Sequence, residues 1–315
     1  MIHLDDAAVE RYGDLPAITD GLIDAWKQLA AGQAATSVRV RTDSIDKLMA
    51  SGMAAVLPSQ GVAGGKLYAT HKNGFDFLIA LFGAEGGVLA TIEGRALTAL
   101  RTAAATGVAV RYLKPEGATV AALFGTGYQS TWHALVLQQE LELAELRICG
   151  RTPSAVDRLV AWSKDRGIPA VAAAPDEAIR DAQVVAAVTA SYEPVFSGTG
   201  LTHDALVCGV GSTKADRREL DAETVRRADL IYTDSVEGAK SEAGDLVGAA
   251  RDGALDWNRV HDITDALTGV SGRTPETGIV LFESQGMALQ DVAAAAIVYA
   301  RCTSEAGGEE EGHGE

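Results

Sequence analysis

The stretch Phe124-Gly-Thr-Gly-Tyr-Gln-Ser130 follows an apolar run and precedes a helical pattern. In that setting glycines allow a tight turn and let the backbone approach a pyrophosphate at an amide-rich helix start. Gly125, Thr126, Gly127, Tyr128 and Gln129 are therefore candidate dinucleotide contacts, with a plain structural turn as the other reading. Ser130 stands where the GxGxxG pattern has its third glycine, and is still small. The second strand of such a unit ends in Asp or Glu when a ribose 2′-hydroxyl is to be bound. Here it ends Cys149-Gly-Arg151-Thr152, a cation and a hydroxyl that suit a 2′-phosphate. NADP(H) is therefore favoured over NAD(H), unless Arg151 is a solvated cation at a helix start. A second set consists of cations: Arg39, Arg41, Lys66 in Gly64-Gly-Lys66, and Arg101 in Leu97-Thr-Ala-Leu-Arg-Thr-Ala-Ala-Ala105. A helix of Ala and Thr can pack tightly and turn one guanidinium toward a cleft, where it would hold a carboxylate. A surface salt bridge is the alternative for Arg101.

The elements that position these residues alternate from Gly117 onward. Apolar runs at Thr119–Phe124, Leu146–Cys149 and Gln183–Thr189 are separated by helical patterns from about Tyr128 and Pro153, and two more runs follow at 205–211 and 229–234. This βαβ alternation predicts a doubly wound parallel sheet. The first 115 residues read as mixed α+β: a helix at 18–31, strands at 38–41, 54–57 and 65–69, and a hairpin in which Ile79–Phe82 and Val88–Ile92 flank Gly83-Ala-Glu-Gly-Gly87. A helix is expected over 97–112, stopped by Pro115, as the hinge into the second domain. A strand at 279–283 and an Ala-rich helix over 286–302 are expected to return to the first domain. The expected organisation is thus 1–115 with 275–303, then 116–274, and a disordered acidic tail over 304–315.

The chain has 315 residues, 47% of them hydrophobic, enough for two cores. A formal charge of −16, from 43 acidic and 27 basic side chains, argues against a nucleic-acid partner. Cys149, Cys208 and Cys302 are odd in number and widely spaced, as in a reducing cytosol. The six histidines show no ligand spacing, so no metal site is expected. No apolar run reaches the roughly eighteen residues needed to cross a bilayer, and a cytoplasmic location is expected.

Several motifs, in order along the chain, make it resemble the ornithine cyclodeaminase and mu-crystallin family. They are Gly64-Gly-Lys66, the 97–105 block, Gly125-Thr-Gly-Tyr-Gln129, Gly211-Ser-Thr-Lys-Ala-Asp-Arg-Arg-Glu-Leu220, Thr233-Asp-Ser235 with Gly244-Asp245, and Leu281-Phe-Glu-Ser-Gln-Gly-Met-Ala-Leu-Gln-Asp291. The resemblance covers about 39–291. It implies a Rossmann α/β domain plus an α+β substrate and dimerisation domain, assembled as a homodimer with the substrate pocket facing the nicotinamide. It also implies that Arg39, Lys66 and Arg101 hold the substrate carboxylate and adjacent groups, with Arg41 as the fallback for Arg39. Thr102 and the 125–129 turn would meet the cofactor, and Thr189, Val210, Ser284 and Gly286 match stretches lining the nicotinamide side.

The chain departs from the family's cyclodeaminases at Thr213, where these have Asp, and resembles instead the hydroxyl-bearing ketimine reductases. Leu206 and Cys208 depart from a His and an Asn found in many members. A Thr cannot serve as a base at neutral pH but can donate a hydrogen bond. The implied activity is reduction of ketimines or cyclic imino acids of the pyrroline- or piperideine-2-carboxylate type to L-amino acids, with Lys66, Arg101 and Thr213 as catalytic residues. The alternatives are an ornithine or lysine cyclodeaminase using bound NAD, an alanine-dehydrogenase-like or condensing amino-acid dehydrogenase, and a non-catalytic NADP-dependent binder.

Overall fold

The computed structural model describes residues 1–310, with side chains through Glu305. The chain divides into two compact units, 1–104 with 287–315 and 105–286. It passes between them inside the helix Gly94–Leu113 and again after Gly286.

The first unit is built on a seven-stranded sheet in the order Ile2–Leu4, Val88–Glu93, Gly74–Gly83, Val62–His71, Met49–Leu57, Ala35–Thr36, with Val40–Arg41 also paired to Met49–Leu57. Ile2–Leu4 is parallel to its neighbour and the other pairs are antiparallel. The expected hairpin is present: Gly74–Gly83 pairs with Val88–Glu93. The expected strand at 38–41 is reduced to Val40–Arg41. The edge pairing to Met49–Leu57 is broken after Thr36, where Ser37 exchanges bonds with Ala54, and Arg39 sits in the break.

The helix Leu15–Ala30 is capped by Asp14, whose carboxylate accepts the amide of Ala17, and buries Ile18, Leu22 and Trp26 at four-residue spacing. The helix Ala288–Glu310 packs on it and on the central strands. Gly64 lets that helix come close, since a Cβ there would lie 2.7 Å from the Ala80 carbonyl oxygen and 3.1 Å from Val292. The helix continues to Glu310, past the expected end at 302 and into the tail expected to be disordered from 304. Ala-rich sequence through Ala306 and the Arg11–Glu305 and Arg301–Asp14 ion pairs favour its extension. Residues 311–315 of that tail lie outside the described residues.

The second unit holds an all-parallel eight-stranded sheet in the order Ala170–Ala172, Glu145–Cys149, Val120–Phe124, Val184–Ala187, Leu206–Gly209, Ile279–Glu283, Ala228–Thr233, Val260–Asp262. The strand order reverses between Val120–Phe124 and Val184–Ala187, the switch point at which doubly wound sheets bind ligands. The central strands are buried on both faces, so they read as apolar runs without alternation. Ile279–Glu283 was expected in the first domain. It lies instead inside this sheet, hydrogen-bonded to Leu206–Gly209 on one side and Ala228–Thr233 on the other, and all five of its residues are buried. The short strands Ala170–Ala172 and Val260–Asp262 were not anticipated: the first is an Ala-rich run of weak strand preference and the second is mostly polar.

Candidate active site

In the second unit, the turn after Val120–Phe124 requires glycine. Gly125 has φ +118°, and a Cβ there would fall 2.4 Å from the Val188 carbonyl oxygen. Gly127 caps the helix Tyr128–Glu140 without a side chain, so nothing from the cap covers that helix end. Tyr128 and Gln129 form its first turn. Ser130 is wholly buried, so its small size serves packing. Beside this turn lies a cleft of about 550 Å³ lined by Gly125, Thr126, Gly127, Arg151, Thr152 and Thr189, among others. The glycine turn, an open helix N-terminus and a cation with a hydroxyl on one wall suit the pyrophosphate and 2′-phosphate of a dinucleotide. The cleft's carboxylate, Glu193, is on the 189–195 loop and not at the end of the second strand. Val210, Ser284 and Gly286 stand past the ends of neighbouring strands, outside this lining. The Val210 amide donates to Ala187 at 3.0 Å, and Asp234 Oδ2 accepts from Ser284 Oγ at 2.8 Å and the Gly286 amide at 2.7 Å. Thr213 follows the strand Leu206–Gly209 and is half-buried.

In the first unit the cations converge. Along Val62–His71 the alternation that buries Val62 and Gly64 also turns Lys66 inward, so a lysine occupies a core-facing position at 3% exposure. Its Nζ donates to Thr98 Oγ1 at 2.6 Å and to Asp291 Oδ1 at 3.3 Å, and lies 4.5 Å from the centre of the Phe77 ring. Arg101, on the Ala/Thr helix, donates from Nε to the same Asp291 oxygen at 3.1 Å and from Nη1 to Gln290 Oε1 at 2.8 Å. Burial lowers Lys66 to about 7, and Arg101 and Arg39 push the same way against the pull of Asp291. Burial alone would raise Asp291, but Lys66 and Arg101 outweigh it and hold the carboxyl below its usual range.

Arg39 thus acts on this cluster electrostatically, and Arg41 lies in the edge strand Val40–Arg41. Thr102, expected at the cofactor, is buried and donates its hydroxyl to the Thr98 carbonyl at 2.6 Å. Thr98, Gln290 and Asp291 carry no expected role, and the available signal was Asp291 itself, an acid immediately before the apolar run Val292–Val298. Two buried cations on one carboxylate can bind an anionic group, and an amine poised near neutrality can give up or take a proton. Among the described residues, no group of three His, Cys, Asp or Glu could hold a metal ion, and no helix is long and apolar enough to cross a membrane.

A doubly wound unit with a glycine turn at its switch point, joined to an α+β unit with a buried cation cluster, defines a dinucleotide-dependent class of fold. The chain belongs to the ornithine cyclodeaminase/mu-crystallin family, whose model matches residues 4–306. It is 32% identical over 305 residues to the Δ1-pyrroline-2-carboxylate/Δ1-piperideine-2-carboxylate reductase of Azospirillum brasilense, covering 92% of this chain and 91% of that protein. It is also 32% identical over 216 residues to the ketimine reductase mu-crystallin of Rattus norvegicus, covering 68% of this chain and 65% of the rat protein. Among solved structures, a probable ornithine cyclodeaminase from Bordetella pertussis Tohama I superposes with a TM-score of 0.90 at 37% identity, covering 98% of both chains.

Proposed function

We propose that the chain is an NADPH-dependent reductase of ketimines and cyclic imino acids of the pyrroline- or piperideine-2-carboxylate type, giving L-amino acids. The observation that carries this reading is the buried Lys66–Asp291–Arg101 cluster, in which two cations share one carboxylate. The carboxylate of the imino acid supplies the second negative charge, held by Arg101 with Arg39 beside it. Lys66 donates a proton to the imine nitrogen, which makes the adjacent carbon a better acceptor. NADPH supplies the hydride when bound. The 125–129 turn holds the pyrophosphate, and Arg151 and Thr152 hold the 2′-phosphate. Thr213 donates a hydrogen bond to the substrate.

The names of the Azospirillum and rat relatives support a reductase, and the name of the Bordetella relative supports a cyclodeaminase. Thr213 favours the reductase, since it cannot act as the base that the cyclodeaminases' Asp would supply. A homodimer is part of the same reading. Val40, Leu67 and Leu78 lie in one cross-strand row and Val56 and Phe82 in another, all exposed on one face of the first unit's sheet, and a second copy would cover that apolar patch.

The test is oxidation of NADPH, with NADH in parallel, by the purified protein against pyrroline and piperideine carboxylates. Turnover selective for NADPH is expected. Release of ammonia from ornithine or lysine without net consumption of the dinucleotide would overturn the reductase reading in favour of a cyclodeaminase.

A further inference from the structure

One wall of the dinucleotide cleft, residues 189–195, is fastened at both ends by a single residue that does not itself line the cleft. The Thr189 amide donates to Glu219 Oε1, and the Val195 amide donates to the Glu219 carbonyl at 2.8 Å. The other carboxylate oxygen, Oε2, accepts the Gly211 amide at 2.6 Å, just beyond the neighbouring strand Leu206–Gly209. Thr189, Ser191, Glu193 and Val195 line the cleft, while Glu219 is wholly buried behind them.

Glu219 is held in turn. Asp245, in the first turn of the helix Gly244–Arg251, accepts the amides of Glu219 and Leu220 on Oδ1 at 2.7 and 2.8 Å. Asp245 is itself buried, so both of these bonds are shielded from water. The loops that follow Val184–Ala187 and Leu206–Gly209 are thereby tied through Glu219 to the start of the helix Gly244–Arg251.

We propose that Glu219 is a positioning residue for dinucleotide binding, which fixes both ends of the 189–195 wall and is itself fixed by Asp245. The proposal rests on the reading of the cleft as the dinucleotide site. Glu219→Gln keeps the volume but replaces one acceptor oxygen with a donor, so either the Thr189 or the Gly211 amide loses its partner. Leaving one buried donor unsatisfied is expected to raise the Kd for NADPH about tenfold. Asp245→Leu removes the acceptor that holds the Glu219 and Leu220 amides and is expected to act in the same direction. Asp245→Asn, which keeps one acceptor oxygen for those amides, restores the Kd to within about threefold of wild type.

The experiment is titration of the full-length protein with NADPH, followed by its fluorescence and without any imine, together with amide hydrogen exchange of the unliganded protein. In wild type the amides of Thr189, Val195 and Gly211 are expected to exchange slowly before any dinucleotide is added. In Glu219→Gln, exchange accelerates at 189–195 and 211 and not elsewhere in the second unit. A Kd within twofold of wild type, or acceleration spread over the whole unit, overturns the proposal. Exchange of 189–195 in wild type at the rate of an open loop overturns it whether or not the variants fold. Wild-type protein that binds neither NADPH nor NADH removes the functional reading and this proposal together. Intact wild-type binding with an unchanged Kd in Glu219→Gln removes this proposal alone.

Discussion

Lys66→Met exchanges a buried ammonium for an apolar side chain of similar length, and its effects on stability and on turnover should have opposite signs. Burial holds Lys66 at about 7 against an ordinary 10.5. At about 1.36 kcal/mol per pH unit, this amounts to about 5 kcal/mol of folding free energy sacrificed to keep a charge in the core. Because the value in the folded protein lies below that in the unfolded chain, the cost is complete below pH 7 and fades as pH climbs toward 10.5. Removing the ammonium also deprives Asp291 of a partner, but Arg101 still donates to the same oxygen at 3.1 Å. The variant should therefore melt no lower than wild type at pH 6, with a smaller gain at pH 9. Turnover should fall by about 10²- to 10⁴-fold, the usual contribution of a positioned proton donor. The Kd for NADPH should stay within twofold, because the dinucleotide cleft is formed by the second unit. Thermal denaturation at both pH values, steady-state turnover on pyrroline-2-carboxylate and fluorescence titration measure the three quantities. A melting temperature that falls at pH 6, with turnover and NADPH affinity lost in equal proportion, would mean that Lys66 is a structural cation and would refute the reasoning.

Gly125→Ala forces a side chain into φ +118° with its Cβ 2.4 Å from the Val188 carbonyl oxygen. NADPH affinity, read by titration, is expected to drop by about 5- to 150-fold, from backbone strain of roughly 1–3 kcal/mol at the turn. Arg151→Ala should weaken NADPH binding by about 10- to 100-fold, the worth of a charge-assisted bond of ~1.5–3 kcal/mol, and leave NADH within twofold. Equal losses for the two dinucleotides would make Arg151 a solvated cation. In wild type, imine reduction needs the Lys66 ammonium, so kcat/KM should be level below pH 7 and fall tenfold per unit above about 7. A kcat/KM that stays level to pH 9 would exclude Lys66 as the proton donor.

The second unit was legible because its strands are short apolar runs at regular spacing and because the glycine turn sits at the one place where the topology requires it. What the sequence hid there was Ile279–Glu283. That strand follows a long excursion and precedes the helix Ala288–Glu310, so chain order suggested the first unit, whereas its full burial demanded two strand neighbours. In the first unit Lys66 and Arg101 were visible as cations in apolar surroundings, but their partner was not. Asp291 lies 225 residues from Lys66 along the chain, and only the packing of the Ala288–Glu310 helix brings it to 3.3 Å. The choice between Arg39 and Arg41 was likewise beyond local spacing. It depends on the break in the edge pairing after Thr36, which leaves Arg39 between two short strands and puts Arg41 inside one. Glu219 stands in the Gly211–Leu220 motif, yet nothing local marks it as the residue that takes up the amides of Thr189 and Gly211.

The acid–base inventory of the first unit bears on which direction of chemistry the chain favours. Oxidising an amine requires a base that takes the ammonium proton, and reducing an imine requires an acid that gives one. Asp291, the carboxylate in the cluster, is held below its usual range by two cations and is too weak a base at neutral pH to do the first. Lys66, near 7, is the group that changes protonation in the working range, and the neighbouring cations that lower it also attract the substrate's carboxylate. When that carboxylate arrives, it adds a negative charge beside Lys66 and raises its proton affinity again, so the ammonium form is favoured in the complex that needs a proton donor. A cluster in which the arriving carboxylate favours the Lys66 ammonium is therefore matched to an imino acid awaiting a proton, and in the reverse direction the neutral amine of Lys66, not Asp291, is the group that would take one.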